Sequence, residues 1–212
     1  MRFVITAGPT REHLDPVRFL SNPSTGKMGF AVAEAAAKKG FKVTLVAGPV
    51  ALKTPKGVER IDVVSAREMF AAVQEAVNED GDDVVFIATA AVADFRPKRK
   101  ADKKLKKGEM TTTLELVKNP DILKSVKRKS GTLVKVGFAA ETNDLLKEAA
   151  RKCREKGLAF IVANDVTKAG AGFGKDTNIV TFLTAEGEMK PLELMSKRLV
   201  AKKIIDFIVS RR

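Results

Sequence analysis

Tryptophan and tyrosine are absent from the 212-residue chain, and cysteine and histidine occur once each, as Cys153 and His13. Without tyrosine, the short-chain dehydrogenases that depend on a Tyr-x-x-x-Lys pair are excluded, and only phenylalanine is left to stack on a base. A lone cysteine rules out an internal disulfide. One cysteine with one histidine falls short of the ligand sets that hold zinc. The two also stand in unrelated segments, which argues against a Cys–His nucleophile. Cys153 sits among cations in EAARKCREKG, where a thiol pKa can fall; the plainer reading is a small residue on a helix. No apolar run reaches the ~18 residues of a membrane span. The opening MRFVITAGPT reads as a strand and a turn, without the ~7–15-residue apolar core of a signal peptide. The expectation is a cytoplasmic protein with one domain over residues 1–212.

Acidic residues are in short supply too. Lys and Arg number 39 against 26 Asp and Glu, for a net charge of +13. Nucleic acid, a small polyanionic substrate and an ordinary solvated surface each account for such an excess. The basic stretch KRKADKKLKKGEM (98–110) contains only Asp102 and Glu109 as acids. It has no interleaved aromatics, which counts against single-stranded nucleic acid; a solvated loop is the ordinary reading of such a run.

Along the chain, short apolar runs alternate with helical patterns. FVITA (3–7) and KVTLVAG (42–48) read as buried strands, and DVVFIATAAVADF (83–95) begins as one. GKMGFAVAEAAAKKG (26–40) reads as a helix with Ser24 or Thr25 as its cap and Gly40 as its stop. SAREMFAAVQEAVNED (65–80) carries the Ser65/Glu68 spacing of a capping box. Then come a capped helix in 119–130, a strand in 132–142, a helix in 143–157 stopped by Gly157, and a strand in 158–165. A hairpin around Glu186–Gly187 and an amphipathic helix over 195–210 close the chain. This order predicts an α/β fold with a mostly parallel central sheet covered on both faces, plus a C-terminal hairpin and helix. Ligands in such folds sit beyond the carboxyl ends of the strands. The long loops 8–24 and 88–110 leave from those ends, and loops of that length are usually functional or disordered.

Polar and small residues meet at the strand exits: Thr6-Ala7-Gly8, Ala90 to Asp94, Phe138 to Glu141, and Ala163-Asn164-Asp165. SNPSTGKMG (21–29) resembles a phosphate loop but fails the Walker pattern, with Ser21 at the first glycine position and Met28 after Lys27. It still leads into a helix N-terminus, whose free N–H groups attract anions. Asn22 stands just before it, able to donate and accept beside an acyl or phosphoryl oxygen, or to serve as a turn residue ahead of Pro23. The Gly-x-Gly-x-x-Gly fingerprint of nicotinamide enzymes fails at Gly8-Pro9-Thr10-Arg11 and fails again at Gly170-Ala171-Gly172-Phe173-Gly174-Lys175, which lies outside a strand–helix turn.

ITAGPTRE (5–12), DPVRFLSNPSTGKMG (15–29), AAVADFRP (90–97), KLKK (104–107), LVKNPDIL (116–123), VGFAAET (136–142) and ANDV (163–166) occur in one order. In these stretches the chain resembles the phosphopantothenate–cysteine ligase family, in a stand-alone form without the flavin decarboxylase domain. Where the family often has Gly-Gly-Thr, this chain has Gly8-Pro9-Thr10, and proline removes one backbone N–H. The resemblance implies a Rossmann-like three-layer enzyme of coenzyme A synthesis. It would join 4′-phosphopantothenate to L-cysteine through an acyl-nucleotidylate, with CTP favoured over ATP and Mg²⁺ as cofactor, its protein ligands unassigned. The resemblance gives Asn22 and Lys104 catalytic roles. It sets Ala90, Asp94, Lys104, Pro120, Asp121, Ile122, Leu123, Phe138, Lys152 and Lys156 at the nucleotide. Asn22, Ser24, Thr25, Gly26 and Arg18 fall to phosphopantothenate. A homodimer, a flap-like basic loop at about 96–110 and a possible separate decarboxylase partner also follow. The chemistry suits the charge, because a carboxylate attacking a triphosphate brings two anions together and lysines offset the repulsion. A nucleic-acid-binding protein and a nicotinamide oxidoreductase are the alternatives.

Overall fold

A computed structural model of the chain describes residues 1–79, 81, 83–106, 113–141, 145–165 and 175–211, without the side chains of 140, 141, 145, 146 and 165. The glycine-rich run at 170–174 and the end of the basic run at 107–110 therefore lie outside the described residues, as do the side chains of Glu141 and Asp165.

The chain opens with strand β1 (Arg2–Ala7), a hairpin of β2 (Arg11–His13) and β3 (Phe19–Ser21), and helix α1 (Lys27–Lys38). Strands β4 (Lys42–Ala47) and β5 (Val58–Asp62), helix α2 (Ala66–Asn78) and strand β6 (Val84–Ala88) follow. A second small hairpin pairs β7 (Phe95–Pro97) with β8 (Leu116–Lys118), ahead of helix α3 (Ile122–Ser125). The rest comprises β9 (Leu133–Glu141), α4 (Leu145–Glu155), β10 (Phe160–Asp165), β11 (Thr177–Asn178), β12 (Val180–Thr184), β13 (Met189–Pro191), β14 (Met195–Ser196) and α5 (Lys197–Ser210).

The central sheet runs β13-β12-β10-β9-β6-β1-β4-β5. Its six strands from β10 to β5 are mutually parallel; β12 runs against them, and β13 pairs antiparallel with β12 at the edge. Side chains alternate across β1. Phe3, Ile5 and Ala7 join the core under α1 and α5, and Val4 joins Met69, Val73 and Val77 of α2 on the other face. A third cluster packs α4 on β9, β10 and β12 through Ala149, Cys153 and Ile161. Both faces are thus covered, which is why β1 and β6 read as continuous apolar runs. Each fully buried Val, Leu, Ile, Phe or Met side chain contributes on the order of 1.5–3 kcal/mol. Cys153 is fully buried as well: its thiol lies 3.5 Å from the Leu158 carbonyl oxygen, and burial pushes its pKa up.

Three sequence expectations need correction. Neither Ser24 nor Thr25 caps α1; Gly26 holds the cap position at φ 76°, with no side-chain hydrogen bond to the helix. The 8–24 segment is no structureless loop but carries β2 and β3, and the 88–110 segment carries β7. The helix expected in 119–130 is a single turn, α3, capped by Asp121. It stops because α2 takes its next backbone groups: the Lys127 carbonyl accepts from Gln74 at 2.6 Å and Asn78 at 3.0 Å, and Lys129 donates to Asn78 at 2.7 Å. Pro9 lacks an N–H, as the sequence dictates, and the bridge it makes does not call for one. It bridges Ala91 in parallel, where Ala91 donates to Gly8 and Thr10 donates to Ala91, so residue 9 needs no N–H.

Candidate functional site

The strand order reverses at β1. The chain passes from β1 to β4 and β5 on one side, then returns to β6, β9 and β10 on the other. The connections leaving β1 and β6 diverge there, and the crevice between them is where open α/β sheets bind ligands. It is stitched below by Thr89 donating to the Thr6 carbonyl at 2.6 Å and by Ala90 donating to Thr6 Oγ1 at 3.3 Å. Above it lies a cavity of about 320 Å³, walled by Asn22 to Gly29, Thr89 to Val92, Phe138, Ala139, Asn164, Asn178 and Lys197.

The start of α1 forms one wall. Gly29 lets it come this close: a Cβ there would lie 2.4 Å from Thr89 Oγ1 and 2.5 Å from Ala7 Cβ. Gly26, in the left-handed region that favours glycine, turns the chain so that the first N–H groups of α1 end at the cavity. No acidic side chain lies in that first turn, so the positive end of the helix dipole is left for an incoming anion. Asn22 stands exposed on the rim. Its Nδ2 donates to the carbonyls of Ala91 (3.2 Å) and Val92 (3.3 Å), tying the two diverging connections together. Its amide must release one of those carbonyls before it can donate to a ligand oxygen.

Of the sequence-predicted residues, the cavity thus gathers Asn22, Ser24, Thr25, Gly26, Ala90 and Phe138. A second group forms beside it. Pro120, Asp121, Ile122 and Leu123 lie at the start of α3, and Lys156, just after α4, reaches Asp121 at 2.8 Å. Burial pushes the Asp121 carboxyl up, but the Lys156 ammonium and the Lys124 N–H outweigh it and hold the group below its ordinary value. Leu123 links the groups: a Cβ on Gly137, next to Phe138, would touch Leu123 Cδ2 at 3.0 Å. Lys152 lies one helical turn before Lys156, half-buried.

Arg18, Asp94 and Lys104 do not line the cavity. Arg18 lies on a clasp that holds the basic flap. The buried Asp15 carboxylate accepts from the Val17 and Arg18 N–H groups at 2.8 Å each and from Leu105 N–H at 3.2 Å. Arg18 adds a bond from Nη2 to the Leu105 carbonyl at 3.3 Å. Burial raises the Asp15 pKa, but these donors and the Arg18 charge bring it below the ordinary carboxylate value. Lys104 is exposed on that flap. Asp94 is exposed, with its carbonyl accepting from Asn119 N–H at 2.8 Å. Among the described residues, no group of three His, Cys, Asp or Glu side chains is placed to hold a metal ion.

Sequence reasoning missed Asn178 and Lys197. Both are buried, and both reach the cavity from the C-terminal segment. Lys197 could have been noticed: with Val200, Ala201 and Ile204 it keeps the spacing of the apolar face of α5, where a lysine is out of place.

The whole of this frame has relatives. The model of the DNA/pantothenate metabolism flavoprotein C-terminal domain matches residues 1–211. The chain belongs to this family. It is 51% identical over 208 residues to the coenzyme A biosynthesis bifunctional protein CoaBC of Bacillus subtilis, covering 98% of this chain and 50% of that protein. With the CoaBC protein of Escherichia coli the identity is 46% over 215 residues, 100% of this chain and 52% of the relative. The chain therefore spans about half the length of the curated relatives it matches. The crystal structure of a CoaBC C-terminal domain superposes with a TM-score of 0.81 at 42% identity, over 98% of this chain and 93% of that one. Among the described residues no helix is long and apolar enough to cross a membrane.

Proposed function

We propose that this domain is a phosphopantothenate–cysteine ligase that works in the cavity at the switch point. Two facts support the reading: the 51% identity to a protein named for coenzyme A biosynthesis, and the cavity itself. The observation that carries it is that one wall brings Asn22 and the open N–H end of α1 together with Ala90 and Phe138.

In the first step the carboxylate of 4′-phosphopantothenate attacks the α-phosphorus of a nucleoside triphosphate. A C–O–P anhydride forms and pyrophosphate leaves. Both reactants are anions, so the start of α1 and nearby lysines lower the barrier by offsetting their repulsion. Asn22 then orients the acyl-nucleotidylate, trading one loop carbonyl for a ligand oxygen. In the second step the amine of L-cysteine attacks the acyl carbon, a C–N bond forms, and the nucleoside monophosphate leaves with the bonding electrons. No protein nucleophile is needed, which fits a buried Cys153. Much of the rate comes from holding the groups together.

The nucleotide is assigned to the side of Phe138, α3 and Lys156, with CTP as the triphosphate. Lys104 swings in on the flap when the Asp15 clasp opens. Mg²⁺ would accompany the triphosphate, taking most of its ligands from phosphate and water. A second copy of the chain is assigned to the two small hairpins, where Val17, Phe19, Phe95 and Leu116 stand 57%, 39%, 46% and 42% exposed.

The test is pyrophosphate release with CTP or ATP. Release should require phosphopantothenate, proceed without cysteine for one turnover, and become continuous when cysteine is added. A protein that releases pyrophosphate equally without phosphopantothenate, or never, has another function.

A further inference from the structure

The start of α1 is held from behind. The connection between β4 and β5 covers residues 48–57, and none of it lines the cavity. It presses instead on the two turns that shape the cavity wall. Val50 fills the space that two missing side chains leave: a Cβ on Gly8 would lie 3.0 Å, and a Cβ on Gly26 3.2 Å, from Val50 Cγ1. Gly48 backs onto the turn after β1 so closely that a Cβ there would lie 1.8 Å from the Pro9 carbonyl oxygen. Its N–H donates to the Ala7 carbonyl at 2.9 Å. Gly26 is the residue that aims the first N–H groups of α1 at the cavity. Whatever fixes Val50 therefore fixes the open end of α1.

Arg60, the central residue of edge strand β5, does this. Its guanidinium donates from Nη1 to the Leu52 carbonyl at 2.7 Å and from Nη2 to the Val50 carbonyl at 3.5 Å. Asp62 pairs with it at 2.6 Å and orients the fork. The same guanidinium lies over the Phe30 ring of α1, 5.3 Å from its centroid. Phe30 is a core residue, and its N–H donates to the Gly26 carbonyl at 3.1 Å. One side chain, 16% exposed, thus braces a loop and a helix that meet at Gly26. An arginine that only closed an edge loop would stop at the two carbonyls; here Val50 carries the brace on to a residue of the cavity wall.

We infer that Arg60 and Val50 are positioning residues for the reaction. They touch no substrate, and they set the place and angle of the α1 start against the reacting carboxylate and α-phosphate. An N–H group stabilises developing charge only if it is already aimed at it. A displacement of about 1 Å, caused by a change remote from the chemistry, can cost on the order of a hundredfold in rate. A connection without strand or helix of its own needs a brace to hold its neighbour to that tolerance. The fork of Arg60 supplies it, since a planar guanidinium reaches two carbonyls at once.

This inference deepens the ligase reading and rests on it, and the experiment separates the two. Wild type, Arg60→Met, Arg60→Lys, Val50→Ala and the double variant Arg60→Met/Val50→Ala are compared in single-turnover pyrophosphate release and in steady-state turnover. All are assayed at a temperature where thermal melts show each of them folded. Arg60→Met should slow pyrophosphate release by about tenfold or more while leaving KM for CTP and for L-cysteine within about twofold. Val50→Ala should slow the same step by a smaller factor. The double variant should match Arg60→Met within about twofold, because both changes act through one contact. Arg60→Lys keeps the charge without the fork and should stay close to Arg60→Met. If Arg60→Met does not fold, Val50→Ala decides alone. Wild-type pyrophosphate release in the folded variants, full recovery in Arg60→Lys, or a raised KM with an unchanged rate would each overturn the inference while the ligase stands. Absence of pyrophosphate release in the wild type would remove both.

Discussion

At the start of α1, the site is shaped by atoms that are missing. Gly26 and Gly29 have no side chains, no carboxylate sits in the first turn, and the ligand groups are backbone N–H donors. At α3 and α4, a few ångströms beyond Phe138, the site is shaped by charges: Asp121 held by Lys156, with Lys135 donating to the Leu123 carbonyl at 3.3 Å. The first wall is set by close packing. It should respond sharply to one methyl group and weakly to salt or pH. The second is set by half-exposed ions and should respond the other way. The proposed reaction, in which two anions meet, would use both kinds of wall. Fixed dipoles cost no reorganisation at the reacting carboxylate, and mobile lysines can follow a phosphate that departs.

Substitutions sharpen this contrast, beginning with the largest. Asn22→Asp places a carboxylate where a donor is needed and should lower turnover by about 10²-fold or more, with the melting temperature nearly unchanged. A steady-state assay beside a thermal melt checks it, and near wild-type turnover would remove Asn22 from the mechanism. Gly29→Ala should destabilise the fold by about 1–3 kcal/mol through overpacking against Thr89 and Ala7. Urea titration at low and high salt should show the same loss in both. Lys156→Met should cost only about 0.5–1 kcal/mol, since the pair is partly exposed, and the loss should shrink in high salt. Its pH dependence follows from Asp121, whose carboxyl is held below the ordinary value of 3.8. The stabilisation is complete above 3.8 and fades as pH falls through the lowered value. Wild type and Lys156→Met should therefore differ at neutral pH and converge in acid. Smallest of all, Asp176→Asn breaks the exposed Lys27–Asp176 pair of 2.7 Å and should leave the urea midpoint nearly unchanged. A loss as large as that of Gly29→Ala would mean that the first wall also depends on charge.

What the sequence revealed follows the same division. Strands β1, β4 and β6 were legible because a strand buried on both faces is a continuous apolar run. The Ser65–Glu68 cap was legible because its chemistry is local: the Ser65 hydroxyl accepts from Glu68 N–H at 3.2 Å. The three-residue strands of the two small hairpins are too short, and too mixed in polarity, to show a period of two. Strand β5, Val-Glu-Arg-Ile-Asp at the sheet edge, mixes charged and apolar residues without a period of two and passed unread. The length of α3 was hidden because Gln74 and Asn78, some fifty residues earlier, decide where it stops. The gathering of Asn22, Ala90 and Phe138 could be anticipated from strand exits alone. That Asn178 would reach the same cavity could not, since β11 contributes two residues and its position depends on pairing with β14.

The most direct test is a crystal structure of the protein with phosphopantothenate and a non-hydrolysable CTP analogue. The account predicts the reacting carboxylate and the α-phosphate at the start of α1, within about 3 Å of its first N–H groups or of Asn22. Finding the nucleotide instead on the opposite side, in the groove lined by Arg11, Arg67 and Lys98, would contradict it.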